Sequence, residues 1–533
     1  MLRIDFIVAL LVVTVPLVAL ARRINVGYPV LLVLGGLALG FIPGPRHPEI
    51  NPNLILLVFL PPLLYWQAVT APTDSMRSNV RAIGSLAIGL VLVTAAVVAV
   101  IAHAIVPGLS WPAAIALGAI VAPTDDVAFW PVAQRLGLPR RIVVLLGGEA
   151  LLNDAPSLLL YGIAVAAAVS GTFSASGESV HLLWIVPSSV AIGLLAGYAV
   201  VLVWKNVRDP QLQTLTAVIV PYLAYLPAAQ LGLSGVLAVV TAAIWINRRA
   251  HSVLRPEARQ HGTGFWDTTV FLMNAVMFVL IGFHLHDALP TLGRYPPAVL
   301  VGSVVAVNAV VLGLRFAWIF GGRIFGDWRS RTIAAWAGLR GGVSLAAALA
   351  LPRTVAGGAP FAHRDLIILV AFSVILVTLI GQGLSLPWLV ARVRPRADLA
   401  EEREERHAFA TMRRAALKHV RELEADGRIV ADHAHQLRQW YGHRTHAPEV
   451  ARELVDAERA ALIHAHEHGL IDNTVMRRVQ ASLDMEELHL DGLPPAVARA
   501  ADTLTYAANT ADVTPARAPV STKAVGVAVN RVR

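Results

Sequence analysis

The chain has 533 residues, 56% of them hydrophobic and 15% charged, with a formal net charge of +9 and no cysteine. A soluble domain of ordinary composition carries about a quarter charged residues, so most of this chain is expected in a membrane, and disulfides and thiolate metal sites are excluded outright. The positive balance does not point to nucleic acid, because most arginines and lysines occupy short loops between apolar runs, where a topology signal puts them.

Crossing the hydrocarbon takes about 20 apolar residues. That measure predicts an all-α integral membrane protein of about thirteen spans, at 4–21, 26–42, 53–70, 82–106, 111–134, 142–169, 181–204, 212–230, 232–247, 265–285, 296–320, 332–352 and 365–391. The first run has no basic segment before it and is followed by Arg22-Arg23, so it reads as a span rather than a cleaved signal. Alternate loops carry the basic residues: Arg22 and Arg23, Arg77 and Arg81, Arg135, Arg140 and Arg141, then Lys205 and Arg208. The series continues with Arg248, Arg249, Arg255 and Arg259, and with Arg323, Arg329 and Arg331, while the opposite loops hold only Arg46, Arg294, Arg353 and Arg364. Positive loops stay cytoplasmic, so the N-terminus is expected outside the cell membrane and the C-terminal tail inside.

Three regions follow: a transmembrane domain over 1–394, a cytosolic helical tail over 395–512, and a disordered basic end over 513–533. In the tail, Phe409, Met412, Ala416, Val420 and Leu423 recur at helical spacing among mixed charges, the pattern of amphipathic helices. Its histidines (His407, His419, His433, His435, His443 and His446) suit solvated helix faces as well as they suit a metal site or a pH sensor.

Chemistry concentrates in two apolar runs. One holds Ala122-Pro123-Thr124-Asp125-Asp126, the other Gly148-Glu149-Ala150-Leu151-Leu152-Asn153-Asp154. Acids inside hydrocarbon are expensive and functional by default. A carboxylate withdrawn from water resists ionisation, so at Asp154 a proton and a cation compete for one place. Hard alkali cations prefer oxygen ligands, available from Asp154, Asp125, the Thr124 hydroxyl and carbonyls freed before Pro123. Asn153 beside Asp154 cannot titrate, which predicts about one proton per monovalent cation. Asp125 and Asp126 point ~100° apart on a helix, so only one is expected at the site. A second interrupted segment, Gly338-Leu339-Arg340-Gly341-Gly342, lies in the twelfth span. If spans one to six repeat, inverted, as spans eight to thirteen, the two breaks correspond, and paired broken helices point to a transport site. Arg340 needs a carboxylate or carbonyls; Glu149 is the expected partner in a structural ion pair, with Asp125 or Asp154 as alternatives. Arg315, near the end of its span, is expected to snorkel.

These residues resemble the monovalent cation/proton antiporter family that contains bacterial and animal Na+/H+ exchangers. The likeness rests on Pro123-Thr124-Asp125, Gly148 to Asp154, and Gly338 through Leu345, and extends to Phe59-Leu60-Pro61-Pro62-Leu63-Leu64-Tyr65 and the Asn274–Phe278–Gly282–Leu285 pattern. It implies an electroneutral antiporter fold with two crossing broken helices, and a homodimer in which a core domain moves against a dimerisation domain. It also implies an ion site at Asp154, Asp125 and Thr124, holding Na+ or Li+, with Asn153 marking the electroneutral branch. No cofactor or nucleic acid partner is implied. Two departures leave the site poorer in ligands: Ala150 stands where the family usually has Ser or Gly, and no acid follows the Pro-Pro pair. There, Gln67 of Trp66-Gln67-Ala68 is a candidate additional oxygen ligand. K+/H+ exchange on the same fold is therefore the alternative. An intramembrane aspartyl protease is disfavoured, since its Gly-x-Gly-Asp segment is replaced by Thr before Asp125 and Asn before Asp154. ATP-driven pumping lacks its phosphate-binding loop.

Overall fold

The computed structural model describes most of residues 4–395 and a few positions between 418 and 435; residues 42–51, most of 126–137 and nearly all of the tail lie outside the described residues. The chain divides into two units, Met1–Glu402 and Arg403–Arg533. The expected tail helices, the tail histidines apart from His435, and the basic end fall outside the described residues.

The first unit is helical, with no strand among the described residues beyond one isolated bridge between Thr354 and Pro360. It opens with α1 (Ile4–Arg23), α2 (Tyr28–Gly40), α3 (Pro52–Thr70), α4 (Val80–Ile105) and the short α5 (Trp111–Val121). There follow α6 (Arg140–Ser170), α7 (Ala175–Asn206), α8 (Pro210–Gln230), α9 (Gly235–Val253) and α10 (Pro256–Ala288). It closes with α11 (Pro297–Gly321), two short pieces α12 (Trp328–Trp336) and α13 (Gly342–Leu349), and α14 (Arg364–Val393). Local chemistry sets several ends. The Ser110 hydroxyl accepts from Ala113 N at the start of α5, Asp209 accepts from the amides of Gln211 and Leu212 at the start of α8, and α6 stops at Gly171 with φ 72°.

Seven helices among the described residues are long and apolar enough to cross a membrane: α4, α6, α7, α8, α10, α11 and α14. Shorter apolar pieces are described at Val12–Ala21 of α1, Tyr28–Gly40 of α2, Leu57–Thr70 of α3 and Trp111–Val121 of α5. The expected spans at 111–134 and 332–352 break, after Val121 and between Trp336 and Gly342. Such interruptions are tolerated in hydrocarbon only where other groups satisfy the freed backbone.

Among the described residues, most of the apolar core falls into two bodies, with Val91, Ala95 and Ala122 as a small third cluster. One joins Leu86, Val98, Leu117, Ile142, Leu145, Val307, Ile333 and Phe372, from α4, α5, α6, α11, α12 and α14. The other joins Leu60, Leu64, Val200, Val220, Val239 and Ile246, from α3, α7, α8 and α9. Helices approach closely where glycine permits. A Cβ added at Gly36 of α2 would fall on the Val279 carbonyl of α10, and one at Gly282 of α10 on the Val33 carbonyl of α2. Small residues at such contacts let packing replace the hydrophobic drive that lipid removes. Gly313 of α11, by contrast, has open space where its Cβ would be. We expect Gly282→Ala to destabilise the purified protein by about 1–3 kcal/mol, read as a lower thermal midpoint in detergent. Gly313→Ala should be neutral or slightly stabilising, since it only replaces glycine inside a helix.

Candidate functional site

A helix that stops inside hydrocarbon strands its last carbonyls. Pro123 has no N–H, so the carbonyl of Ala119, four residues earlier, loses its donor; the Ser157 hydroxyl of α6 donates to it at 2.7 Å. The Val121 carbonyl accepts from Nε of Arg340 at 3.3 Å. The extended residues after α5 then meet those before α13: Asp125 N donates to the Leu339 carbonyl at 2.8 Å. At the other end, Gly342 N, opening α13, donates to Oδ2 of Asp125 at 3.1 Å. Each break is therefore finished by the other, with a guanidinium at the negative end of α5 and a carboxylate at the positive end of α13. Gly341 is required by this approach, because a Cβ there would occupy the place of the Asp125 carboxylate. Arg340 is anchored further by its Nη1 on the Gly338 carbonyl and by its backbone N on the Thr378 hydroxyl at 3.1 Å. Thr378 lies in a π-helical turn of α14, Val377–Gln382, a local widening frequent at functional sites.

The expected Glu149–Arg340 ion pair is not formed. Glu149 pairs with Arg315 through two hydrogen bonds, Nη1 to Oε1 at 2.5 Å and Nη2 to Oε2 at 3.0 Å. Both side chains are buried, at 2% and 1% exposure. Arg315 does not snorkel because it lies on the inward stripe of α11 with Ser303, Val307, Val311 and Ile319, each four residues apart. Its Nε and Nη2 also donate to the Ala334 carbonyl near the end of α12. Arg340, 1% exposed, takes the alternative its chemistry allows, carbonyl acceptors.

α6 presents two adjacent stripes. Glu149, Asn153 and Ser157, four residues apart, face the break after α5. The Thr124 hydroxyl donates to Glu149 Oε1 at 3.1 Å, and Asn153 Nδ2 donates to the Thr124 carbonyl at 3.0 Å and hydroxyl at 2.9 Å. Ala150 and Asp154, one residue on, face a cavity of about 40 Å³. Its polar lining is Asp154, Asp125, Thr124, Gln67, Asn274 and Ser344. At roughly 10–15 Å³ per water-sized guest, it has room for a few such guests. Asp154 is 5% exposed and Asp125 half-buried.

Asp154, Asp125, Thr124 and Gln67 are thus brought together, whereas Asn153 turns away and shapes the Thr124 backbone. Asp126 lies outside the described residues. Asn274 and Ser344 were not expected at the site, although both sit in stretches already singled out: the Asn274–Phe278–Gly282 spacing and the run after Gly341-Gly342. Phe278 packs edge-on against Tyr28, with ring centroids 6.5 Å apart, and Gly282 admits α2, so that pattern is mostly a packing face with Asn274 as its polar exception.

Residues 7–392 match the family model described as sodium/hydrogen exchanger, transmembrane. An uncharacterized Na+/H+ exchanger of Mycobacterium tuberculosis is 34% identical over 524 residues, covering 91% of this chain and 95% of the relative. A sodium, potassium, lithium and rubidium/H+ antiporter of Bacillus pumilus is 30% identical over 431 residues, 76% of this chain and 64% of the relative. In fold, the chain is similar to the sodium proton antiporter MjNhaP1 from Methanocaldococcus jannaschii, with a TM-score of 0.61 over 74% of this chain and 99% of that one, at 20% identity. The crossed breaks, the acid-lined cavity and these matches together make the chain a member of the sodium/hydrogen exchanger family, a multi-pass helical secondary transporter and not an enzyme.

Proposed function

We propose that the protein exchanges Na+ or Li+ for H+ across the cell membrane, one for one, with cation and proton competing for Asp154 in the cavity it shares with Asp125. The observation that carries this reading is that both carboxylates line one small cavity where two half-helices cross. Charge accounting supports the stoichiometry. Glu149, Asp125 and Asp154 supply three carboxylates, and Arg315 and Arg340 two guanidiniums, all buried or half-buried. One cation, or one proton, closes the difference. Asn153 adds no further charge.

The Thr124 hydroxyl donates its proton to Glu149 and keeps a lone pair for a cation, while Gln67, Asn274 and Ser344 offer further oxygens. The cavity lies between the two packed bodies, with α3 on one side and the crossed breaks on the other. Movement of one body past the other would open it alternately to each face. In this reading the assembly is a homodimer, as the family resemblance implies, and the arginine distribution supports an N-terminus outside and a cytoplasmic tail. K+/H+ exchange is the second reading, favoured by the Bacillus pumilus relative, whose name includes potassium.

In everted vesicles holding a preset pH gradient, Na+ or Li+ should dissipate the gradient, and Asp154→Asn should abolish the response. Full exchange by that variant would refute the role of Asp154. Collapsing the membrane potential should leave the rate unchanged, and K+ added in the same assay decides between the two readings. The Glu149–Arg315 pair is structural in this scheme. Glu149→Gln leaves Arg315 charged, buried and without its carboxylate, so it should cost about 3–5 kcal/mol and lower the thermal midpoint. Adding Arg315→Met should recover part of that loss.

A further inference from the structure

Beside the cavity stands an acid that the exchange scheme does not use. On α10, Asn274 and Met277 line the cavity. Asp267 lies seven residues before Asn274, on the same face of the helix and about 10 Å along its axis. Aromatic contacts fix its depth against α3. The Trp266 ring lies 5.1 Å from Tyr65 and stacks on Trp66 at 5.9 Å and 11°, and Nε1 of Trp66 donates to Oδ1 of Asp267 at 3.1 Å. The next residue on α3, Gln67, lines the cavity. Asp267 is therefore level with the Gln67 end.

The Asp267 side chain is exposed although it falls within the apolar segment Gly262–His284. An acid at such a place is better served by water than by lipid, which points to an aqueous approach on this side of the cavity. Arg248 and Arg249 lie in the last two turns of α9, and they make the adjoining rim cytoplasmic by the positive-loop rule. They also make it repellent to alkali cations. An acid between that rim and the cavity offsets the repulsion locally.

We infer that Asp267 is a cation-collecting carboxylate at the cytoplasmic mouth of the ion cavity, held in place by the Trp66 indole. It raises the local concentration of Na+ or Li+ without being a ligand in the bound state, as charged clefts do for their substrates. The inference rests on the exchange reading.

The test is Na+-dependent proton movement in everted vesicles at low ionic strength. Asp267→Asn should raise the half-saturating Na+ concentration about threefold and leave the maximal rate unchanged. Asp267→Glu should restore the wild-type value, and Trp66→Phe, which keeps a ring but loses the N–H, should give a smaller rise. At high concentrations of N-methylglucamine chloride, where charges are screened over about 3–10 Å, the difference between wild type and Asp267→Asn should vanish. An unchanged half-saturation at low ionic strength overturns the inference. So does a rise that survives high ionic strength, which would make Asp267 a ligand, or a lower maximal rate in both Asp267→Asn and Asp267→Glu, which would make it structural. Wild-type vesicles without cation-driven proton movement would sink the exchange reading and this inference with it, a result distinct from the others.

Discussion

Hydrocarbon offers a backbone no water, so a helix can stop halfway across only if other groups take what it leaves unpaired. That constraint governs the centre of this protein. The carbonyl stranded by Pro123 goes to Ser157, the last carbonyl of α5 to Arg340, the amide of Asp125 to Leu339, and the first amide of α13 to Asp125 itself. None of these bonds lies within a single helix. The two breaks exist because each supplies what the other lacks, and α6 and α14 add the remaining partners. Removing any one group would leave a polar atom in apolar surroundings, at a cost of several kcal/mol.

The same arrangement sorts the acids into two kinds. Glu149 is spent: both its oxygens meet Arg315, and one also takes the Thr124 hydroxyl. Asp125 does two things: one oxygen caps α13, and the side chain borders the cavity. Asp154 borders the cavity from the next stripe of the same helix as Glu149, five residues along. A helix advances by about 100° per residue, so five residues turn Asp154 about 140° away from Glu149, onto a different face. One helix thereby carries the fixed charge and the proposed exchangeable one, without either competing for the other's partner.

Much of this was legible in the sequence because burying charge is costly wherever it occurs. Asp154, Asp125 and Thr124 announced themselves by sitting in apolar runs, and the Pro123 and Gly338–Gly342 interruptions marked the crossing. The errors have a common origin. Pairing Glu149 with Arg340 treated two buried charges as necessarily each other's partners, although a guanidinium is equally served by carbonyls that a broken helix frees. Arg315 looked peripheral by its distance along the span, yet its four-residue spacing from Val307, Val311 and Ile319 already placed it inward. Asn153, expected at the ion site, lies on the Glu149–Asn153–Ser157 stripe and braces Thr124. Ser157 drew no notice at all: its partner exists only because a proline four residues after Ala119, on another helix, withholds a donor. Periodicity within one helix is readable; which stranded group on a second helix will meet it is not.

The placement of the cavity follows from the same economy. Inside either packed body, an acid would be fixed by its neighbours, as Glu149 is. At the seam between the two bodies, one wall is held by the crossed backbones and the other is α3, whose Leu60 and Leu64 belong to the second core. Ligands drawn only from the crossed segments would bind a cation equally well in every arrangement of the two bodies. Candidate ligands shared across the seam, with Gln67 of α3 lining the same cavity as Asp154 and Asp125, would change their spacing if the bodies shifted. Coupling occupancy to movement requires that difference in affinity between arrangements. In the proposed cycle, therefore, the weakly furnished α3 wall is a functional feature: it leaves Asp154 able to release either guest once the seam opens.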